Sequence, residues 1–295
     1  MKKLIHSTFK LSAALMLLAS APKAGALQII VNYDANNSTP PSADSDGALL
    51  QEIMEAAATY WEDIIEGPGT LTITYYYEAN FPGNAQFTNG NESGGIISSG
   101  DIRFEPSPSY GSYVPSNGWY YDPTPLDNSE YDMEQTLFRD MSGSAQSSMF
   151  SGSPPALLES SFQGDVLDSA PDEAKDAADM WTYALHELGH ALGMTSALDG
   201  TVTETADNDF DINPVLVNGA VYATKMDTDG GTHVECVNCL MNTSIGRDNR
   251  KLPSAADVLA IATCPSAGWS PLDLRRQDFL PGGTSNWNTN GNWVG

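Results

Sequence analysis

The segment that decides how the rest of the chain is interpreted is Trp181-Thr-Tyr-Ala-Leu-His186-Glu187-Leu-Gly-His190-Ala-Leu-Gly-Met-Thr-Ser196. Its apolar residues are spaced for a buried helix, and His186 and His190 lie one turn apart on the same face of such a helix. Buried imidazoles need partners, and one metal ion within reach of both rings would supply them. Glu187 follows the first histidine, so its carboxylate can take a proton from a water molecule beside that metal. The alternative is a pair of histidines that are solvated or satisfied by backbone groups.

This motif resembles the signature of the metzincin clan of zinc metalloproteases, H-E-x-x-H-x-x-G-x-x-H/D. His186, Glu187, His190 and Gly193 match it, and glycine suits the sharp end of the helix because it tolerates a positive φ. The last position of the signature holds Ser196, whose hydroxyl is a poor zinc ligand. Either the site lacks a ligand, or the third ligand comes from elsewhere in the chain.

Two residues are candidates for the third ligand. The segment Leu240-Met241-Asn242 looks like the Met-turn that lies beneath the metal in metzincins, and His233 precedes it. A histidine delivered by an insertion shortly before the Met-turn is the arrangement of the leishmanolysin-like branch, so this resemblance implies His233 as the third ligand. Asp199, which follows soon after Gly193, is the second candidate. The alternative for His233 is an exposed loop histidine.

The resemblance implies an α+β fold with a metzincin- or zincin-like catalytic domain. In such a domain a twisted mixed sheet carries two long helices above the cleft, and an irregular lower lobe contains the Met-turn and a C-terminal helix. The implied function is a secreted zinc endopeptidase that acts on protein or peptide substrates. Zn²⁺ would be bound by His186, His190 and His233, with Glu187 as the general base. The alternatives are a non-catalytic extracellular binding or adhesion module with a structural metal site, and a calcium-stabilised surface protein without zinc.

The N-terminus is typical of a secretory signal peptide. Lysines precede a short apolar stretch at residues 11–19, and Ala24-Gly-Ala26 fits the cleavage site. An uncleaved anchor is the alternative. We therefore expect a signal peptide at residues 1–26, a catalytic domain at 27–281 and an Asn-, Gly- and Trp-rich tail or linker at 282–295. The expected localisation is extracellular or periplasmic. Removal of residues 1–26 takes away His6, which leaves three of the four histidines, all within the predicted site.

The charge balance limits the partners of the chain. Lys and Arg number 13 against 38 Asp and Glu, which gives a formal net charge of −25. Such a field repels nucleic acid, so we expect no nucleic-acid partner. We also expect no membrane span, because no segment after the signal has the roughly 18 apolar residues that a span needs. The sequence leaves the oligomeric state open.

Cysteines and acidic residues suggest further sites. Cys236, Cys239 and Cys264 form an odd set. They could bind a structural zinc together with His233, although a disulfide is the expectation in an exported protein. Cys264 is expected to pair with Cys236 or Cys239, and a direct Cys236–Cys239 bond is a third option. The alternating acids of residues 207–211 could bind Ca²⁺, or could form a solvated loop.

Local patterns predict the main elements. Residues 27–33, 70–77 and 100–104 have the character of strands, and the Asn218-Gly219 dipeptide between apolar runs indicates a hairpin. Helices are predicted at residues 47–66, 134–150, 174–194 and 254–263, the last with Ser254 as its N-cap.

Overall fold

A four-stranded mixed sheet forms the first layer of the protein. In this computed structural model, which describes residues 27–67, 69–81, 83–93, 96–140, 156–195, 209–212, 222–225, 232–263 and 270–271, the strand order is β1-β3-β5-β4. The strands are β1 (Gln28–Tyr33), β3 (Thr70–Tyr77), β4 (Ala85–Ser93) and β5 (Ile96–Phe104). Strands β1, β3 and β5 are parallel to one another, and β4 pairs antiparallel with β5 at the edge of the sheet. The expected mixed sheet is thus present.

Side chains along β3, which lies inside this sheet between β1 and β5, alternate in burial. Leu71, Ile73, Tyr75 and Tyr77 are buried, whereas the residues between them are half-buried. A strand that alternates in this way buries one face against a helical layer and leaves the other face wetter. The predicted bounds of residues 70–77 coincide with those observed.

Two helices pack against each other and bury their apolar faces. Helix α1 spans Ala48–Ile64 and helix α2 spans Met180–Ala191. The indole N–H of Trp61 donates to the carbonyl of Leu185 at 3.0 Å, which fixes α1 against α2. Asp44 accepts hydrogen bonds from two amides in the first turn of α1. It therefore satisfies backbone donors that the helix itself cannot pair.

A second sheet has the order β10-β11-β8-β12, with β7 also paired to β8. Its strands are β7 (Tyr131–Asp140), β8 (Ala156–Val166), β10 (Asp209–Ile212), β11 (Tyr222–Lys225) and β12 (Asn249–Leu252). Short strands β2 (Ile65–Glu66), β6 (Trp119–Tyr120), β9 (Ala178–Asp179) and β13 (Ser270–Pro271) form two small ladders. Helix α3 (Ala255–Thr263) completes the described elements, with 3₁₀ turns at Ser42–Asp44 and Asp172–Ala174.

The prediction of a helix over residues 134–150 is wrong where the structure describes that segment. Residues up to Asp140 belong to β7, which pairs with β8 from Tyr131↔Val166 to Asp140↔Leu157. Exposure alternates from Tyr131 to Thr136, as expected of a strand with one packed face. The ladder with a distant strand thus prevails over the local helical tendency.

Two other boundaries differ from expectation. Helix α2 begins at Met180 rather than at residue 174, because Asp179 accepts from the Thr182 amide and caps the helix there. The strands that pair antiparallel around the predicted hairpin are β10 and β11. Asn218 and Gly219 themselves lie outside the described residues. So do the predicted signal peptide, the predicted tail, Ser196, Asp199 and Cys264.

One cluster of buried apolar side chains connects the four-stranded sheet, all three helices and β8. Every residue of α2 is buried, so the helix that carries the motif runs through the centre of this core. No helix within the described ranges is long and apolar enough to cross a membrane.

Candidate metal centre

Helix α2 brings His186 and His190 together as their spacing predicts. Their Nε2 atoms are 3.0 Å apart, and both residues are buried. His233 joins them from the loop before the segment Leu240-Met241-Asn242, which is called the Met-turn below for its resemblance alone, and the His233 Nε2 atom is 3.2 Å from that of His190. The His233 ring stacks on the His186 ring at a centroid distance of 5.2 Å. The structure thus assembles all three histidines, with their ligand atoms within 4.8 Å of one another.

The other ring nitrogens indicate how the three imidazoles are oriented. His186 Nδ1 donates to the Leu240 carbonyl at 2.8 Å, and His190 Nδ1 donates to the Met194 carbonyl at 2.6 Å. Because a carbonyl oxygen can only accept, these contacts assign the proton of each neutral ring to Nδ1 and leave Nε2 as a lone pair. His233 Nδ1 is 2.9 Å from the hydroxyl of Thr232.

This arrangement fits a metal ion. Lone pairs 3.0 Å apart repel each other, and a cation bound by both Nε2 atoms of His186 and His190 would relieve that repulsion. Tetrahedral zinc with imidazole ligands would place neighbouring nitrogens about 3.3 Å apart. The pairs His186–His190 and His190–His233 lie near that spacing. Hydrogen bonds from the opposite ring nitrogens are typical of histidines that bind metals.

Burial also favours the neutral form of the imidazole rings, which is the form that binds a metal. The pKa of His186 is well below its usual value, chiefly because burial disfavours the charged imidazolium, and next because His190 and His233 are close. A neutral imidazole has the free lone pair that a metal requires.

The Met-turn lies directly against α2. Gly189, between the two histidines on this helix, faces Met241, and a Cβ atom at that position would overlap the Met241 sulfur and lie 3.2 Å from Ile261 Cδ1. Glycine at this position therefore leaves room for the Met241 and Ile261 side chains, which would have to move if a larger residue took its place. Gly193 has a φ of 137°, which fits its expected place at the end of the helix.

Asp257 on α3 holds the Met-turn in place. Its carboxylate accepts from the backbone amides of Leu240 at 3.3 Å and Met241 at 3.0 Å. It also accepts from the amide and hydroxyl of Ser254, at 2.8 Å and 2.7 Å. The pKa of Asp257 is raised by burial, while these hydrogen bonds act in the opposite direction. Leu240 therefore connects Asp257 to His186, since its amide binds the carboxylate and its carbonyl accepts from the ring.

Glu187 lies in the cleft beside the histidines. It is 4% exposed, and its carboxylate accepts a hydrogen bond from the Phe87 amide on β4. Burial raises the pKa of Glu187 to about 8. A cation at the histidines would lower this pKa, because an opposite charge favours the carboxylate. Glu187 is thus oriented by an edge strand and close to the pH range in which a general base works best.

A buried ion pair fixes the start of α2. Arg250 on β12 is fully buried and donates through two nitrogens to Asp179, at 2.8 Å and 3.0 Å. The same guanidinium lies 2.8 Å from the Asp122 carboxylate. Since Asp179 is also the N-cap of α2, this network positions the helix that carries His186 and Glu187.

The histidines open into a cleft of about 990 Å³. Residues 83–87 at the start of β4 form one wall, and residues 243–246 after the Met-turn form another. Two tyrosine hydroxyls support the second wall, because Tyr110 donates to Gly246 O at 3.0 Å and Tyr183 to Ile245 O at 3.3 Å. The floor is formed by paired residues of β8 and β12, namely Gln163, Asp165, Asn249 and Lys251.

The cysteines pair differently from the first expectation. Cys236 and Cys239 form a disulfide with a Cα–Cα distance of 5.4 Å, so neither is joined to Cys264. The Cys239 amide donates to the Cys236 carbonyl at 3.0 Å, and this turn brings the two side chains together. A structural zinc on these cysteines is therefore not formed.

The suggested calcium loop is only partly described. Asp209 and Asp211 lie in strand β10 rather than in a loop, and Asp207 is outside the described residues. Within the described ranges, the three histidines are the one group of possible metal ligands.

Sequence reasoning missed the residues that support the site. The spacing Ser254-x-x-Asp257 is that of a capping box and could have drawn attention to Asp257. Nothing local marks Arg250, because Asp179 lies 71 positions away in the sequence, or Lys251, because its partners are backbone carbonyls, which no residue type reveals.

Comparisons of the chain with known protein families, with characterised proteins and with solved structures find no match.

Proposed function

We propose that this protein is a zinc-dependent endopeptidase with a zincin-like catalytic domain. The observation that carries the proposal is the convergence of three imidazoles on one point of an open cleft, with Glu187 beside them. His186, His190 and His233 are the proposed metal ligands. When bound, Zn²⁺ would supply Lewis acidity, which lowers the pKa of a water molecule and polarises the carbonyl to be cleaved.

A catalytic site explains this arrangement better than a structural one. Structural zinc sites are closed by four protein ligands, whereas catalytic sites have three and stay open to substrate. Three candidate ligands are found in the described parts of the chain, and His233 is only partly buried. Burial of Glu187 without a cationic side chain beside it, within the described residues, also costs free energy of folding. A purely structural site would gain nothing in return for that cost.

The chain supplies groups for peptide hydrolysis. Glu187 would accept a proton from the attacking water and then deliver it to the leaving amine. The Phe87 amide keeps the Glu187 carboxylate directed into the cleft. Strand β4 is the edge of its sheet, and an edge strand offers backbone groups with which an extended peptide can pair.

We also propose that the protein acts outside the cytoplasm. The predicted signal peptide at residues 1–26 and the Cys236–Cys239 disulfide both support this location, because disulfides persist in oxidising compartments.

The decisive experiment compares the wild-type protein with Glu187→Gln and His233→Ala. The wild type should contain about one zinc per chain and hydrolyse casein, with activity lost on chelation and recovered with Zn²⁺. Glu187→Gln should keep its zinc and lose at least about 100-fold in kcat, the lower end of what a general base contributes. His233→Ala should lose both zinc and activity.

A matched control is Glu105→Gln, outside the cleft-lining set, which should behave as wild type. Full activity of Glu187→Gln would exclude the proposed role of the glutamate. Stoichiometric zinc in an inactive wild type would favour the structural alternative.

A further inference from the structure

Lys251 is a buried cation in the floor of the cleft. Alternation along β12 directs Asn249 and Lys251 into the cleft, while Arg250 points to the opposite face. Lys251 is 3% exposed, and its ammonium group donates to Val237 O at 2.6 Å and to Ser244 O at 2.7 Å. An ammonium group has three hydrogens, so one of them can bind a group that enters the cleft.

The floor around Lys251 is polar, and the carboxylate of Asp165 does not lie directly opposite the Lys251 ammonium group. Lys251 pairs with Gln163 on β8, and Asn249 pairs with Asp165. The Asp165 carboxylate accepts from Asn249 Nδ2 at 3.1 Å. Two residues along a strand span about 7 Å, so Asp165 is displaced by that distance along β8 from the position opposite Lys251. A carboxylate can therefore approach Lys251 without lying directly against Asp165.

Lys251 is also close to the candidate metal centre. It lines the same cleft as the three histidines, and its two carbonyl partners flank the Met-turn on either side. A substrate side chain that reaches Lys251 must therefore belong to a residue near the bond positioned at the histidines.

On the basis of the proposed peptidase function, we propose that Lys251 makes the cleft selective for peptides with aspartate or glutamate beside the scissile bond. The substrate carboxylate would accept a charge-assisted hydrogen bond from the Lys251 ammonium. At long range the net charge of −25 repels acidic peptides, so a preference for them has to arise from a short-range contact of this kind.

The surroundings of Lys251 leave its charge incompletely compensated. Burial lowers the pKa of Lys251 to about 8, and Asp257 on α3 acts in the opposite direction. Asp165 on β8, His186 and Glu187 on α2, and His233 also line this cleft and are titratable. A substrate carboxylate would replace hydration that the ammonium has lost, which favours binding of an anion over an amide.

The test begins with the wild-type protein loaded with zinc. A digest of mixed peptides, with the cleavage sites identified by mass spectrometry, should show Asp and Glu enriched at one of the two positions that flank the cut. Matched peptides that differ only by Glu or Gln at that position should then differ at least about tenfold in kcat/KM. Equal cleavage of the two peptides, or enrichment of Lys and Arg, would overturn the inference and leave the peptidase function intact. Failure to cut any peptide or casein would overturn both.

Variants distinguish recognition of substrate from support of the Met-turn. Lys251→Met should reduce the ratio of kcat/KM for the Glu peptide to that for the Gln peptide to about one, whatever its overall activity, while Lys251→Arg should keep the wild-type ratio. Lys175→Met is the matched control, because Lys175 is a surface residue paired with Asp172. An equal fall with both peptides in Lys251→Met would assign Lys251 a structural role only. The wild-type profile decides the question if this variant does not fold.

Discussion

Substitution of Asp257 by asparagine tests whether α3 holds the candidate metal centre together. The Asp257 carboxylate is fully buried and accepts four hydrogen bonds, from Leu240, Met241 and twice from Ser254. Asparagine has nearly the same shape but only one acceptor oxygen. Three of the four bonds reach Oδ2 and one, from the Met241 amide, reaches Oδ1.

The magnitude follows from counting the donors. If the asparagine oxygen takes the Oδ2 position, the Met241 amide loses its partner, and if it takes the Oδ1 position, the Leu240 and Ser254 amides lose theirs. One buried donor without a partner costs about 1–3 kcal/mol, and the remaining bonds lose their charge assistance. The raised pKa of Asp257 shows that burial disfavours its charged form. Replacing the charge with a neutral amide therefore offsets part of this loss of stability. We expect Asp257→Asn to lose about 2–4 kcal/mol of unfolding free energy.

Urea denaturation of the zinc-loaded protein, together with a zinc affinity measurement, checks this prediction. Zinc affinity should fall by up to about tenfold, because Leu240 also accepts the hydrogen bond that orients His186. Asp172→Asn is the matched control, since that side chain is 96% exposed, and it should stay within about 0.5 kcal/mol of wild type. A change of less than about 0.5 kcal/mol in Asp257→Asn, with unaltered zinc affinity, would refute the reasoning.

Two further predictions concern charged groups on β12. The preference for Glu over Gln peptides should decline as pH rises through about 8. The pKa of Lys251 is lowered to about that value, so its ammonium group loses its proton, and with it the positive charge, above this pH. The ratio of kcat/KM values from about pH 6 to about pH 10 checks this, since titration of groups that act equally on both peptides cancels, and Lys251→Arg should keep a constant ratio. Arg250→Met should lose about 3–5 kcal/mol of unfolding free energy in urea, because it leaves Asp122 and Asp179 buried without their cation. A loss below about 1 kcal/mol would contradict the proposed role of this ion pair.

Local patterns were sufficient for the elements whose signal lies within one turn or one strand. The alternation in residues 70–77 predicted β3, and the spacing of His186 and His190 predicted that they share a face of α2. Ser254 caps α3 as expected, with its carbonyl accepting from Val258. In each case the residues that decide the structure are close neighbours in the chain, so their spacing carries the information.

Features that depend on distant partners could not be predicted in the same way. Strand β7 was predicted as a helix because its pairing with β8, across residues 141–155, has no local signature. Arg250 meets Asp179 across 71 positions. The position of His233 was reached through a resemblance and the scarcity of histidines rather than through any pattern around it. Long-range pairing and burial are properties of the assembled fold, which a single sequence does not display.

The distance along the chain between the candidate ligands has a consequence for the order of events in folding. His190 and His233 are 43 positions apart, and their Nε2 atoms meet only after the loop before the Met-turn has docked against α2. A nascent or unfolded chain therefore offers at most the local pair on α2, which binds a metal far more weakly than three converging rings do. If the protein is a peptidase as proposed, its activity would therefore appear only late in folding. Incompletely folded chains would not cleave one another or the proteins that synthesise and export them.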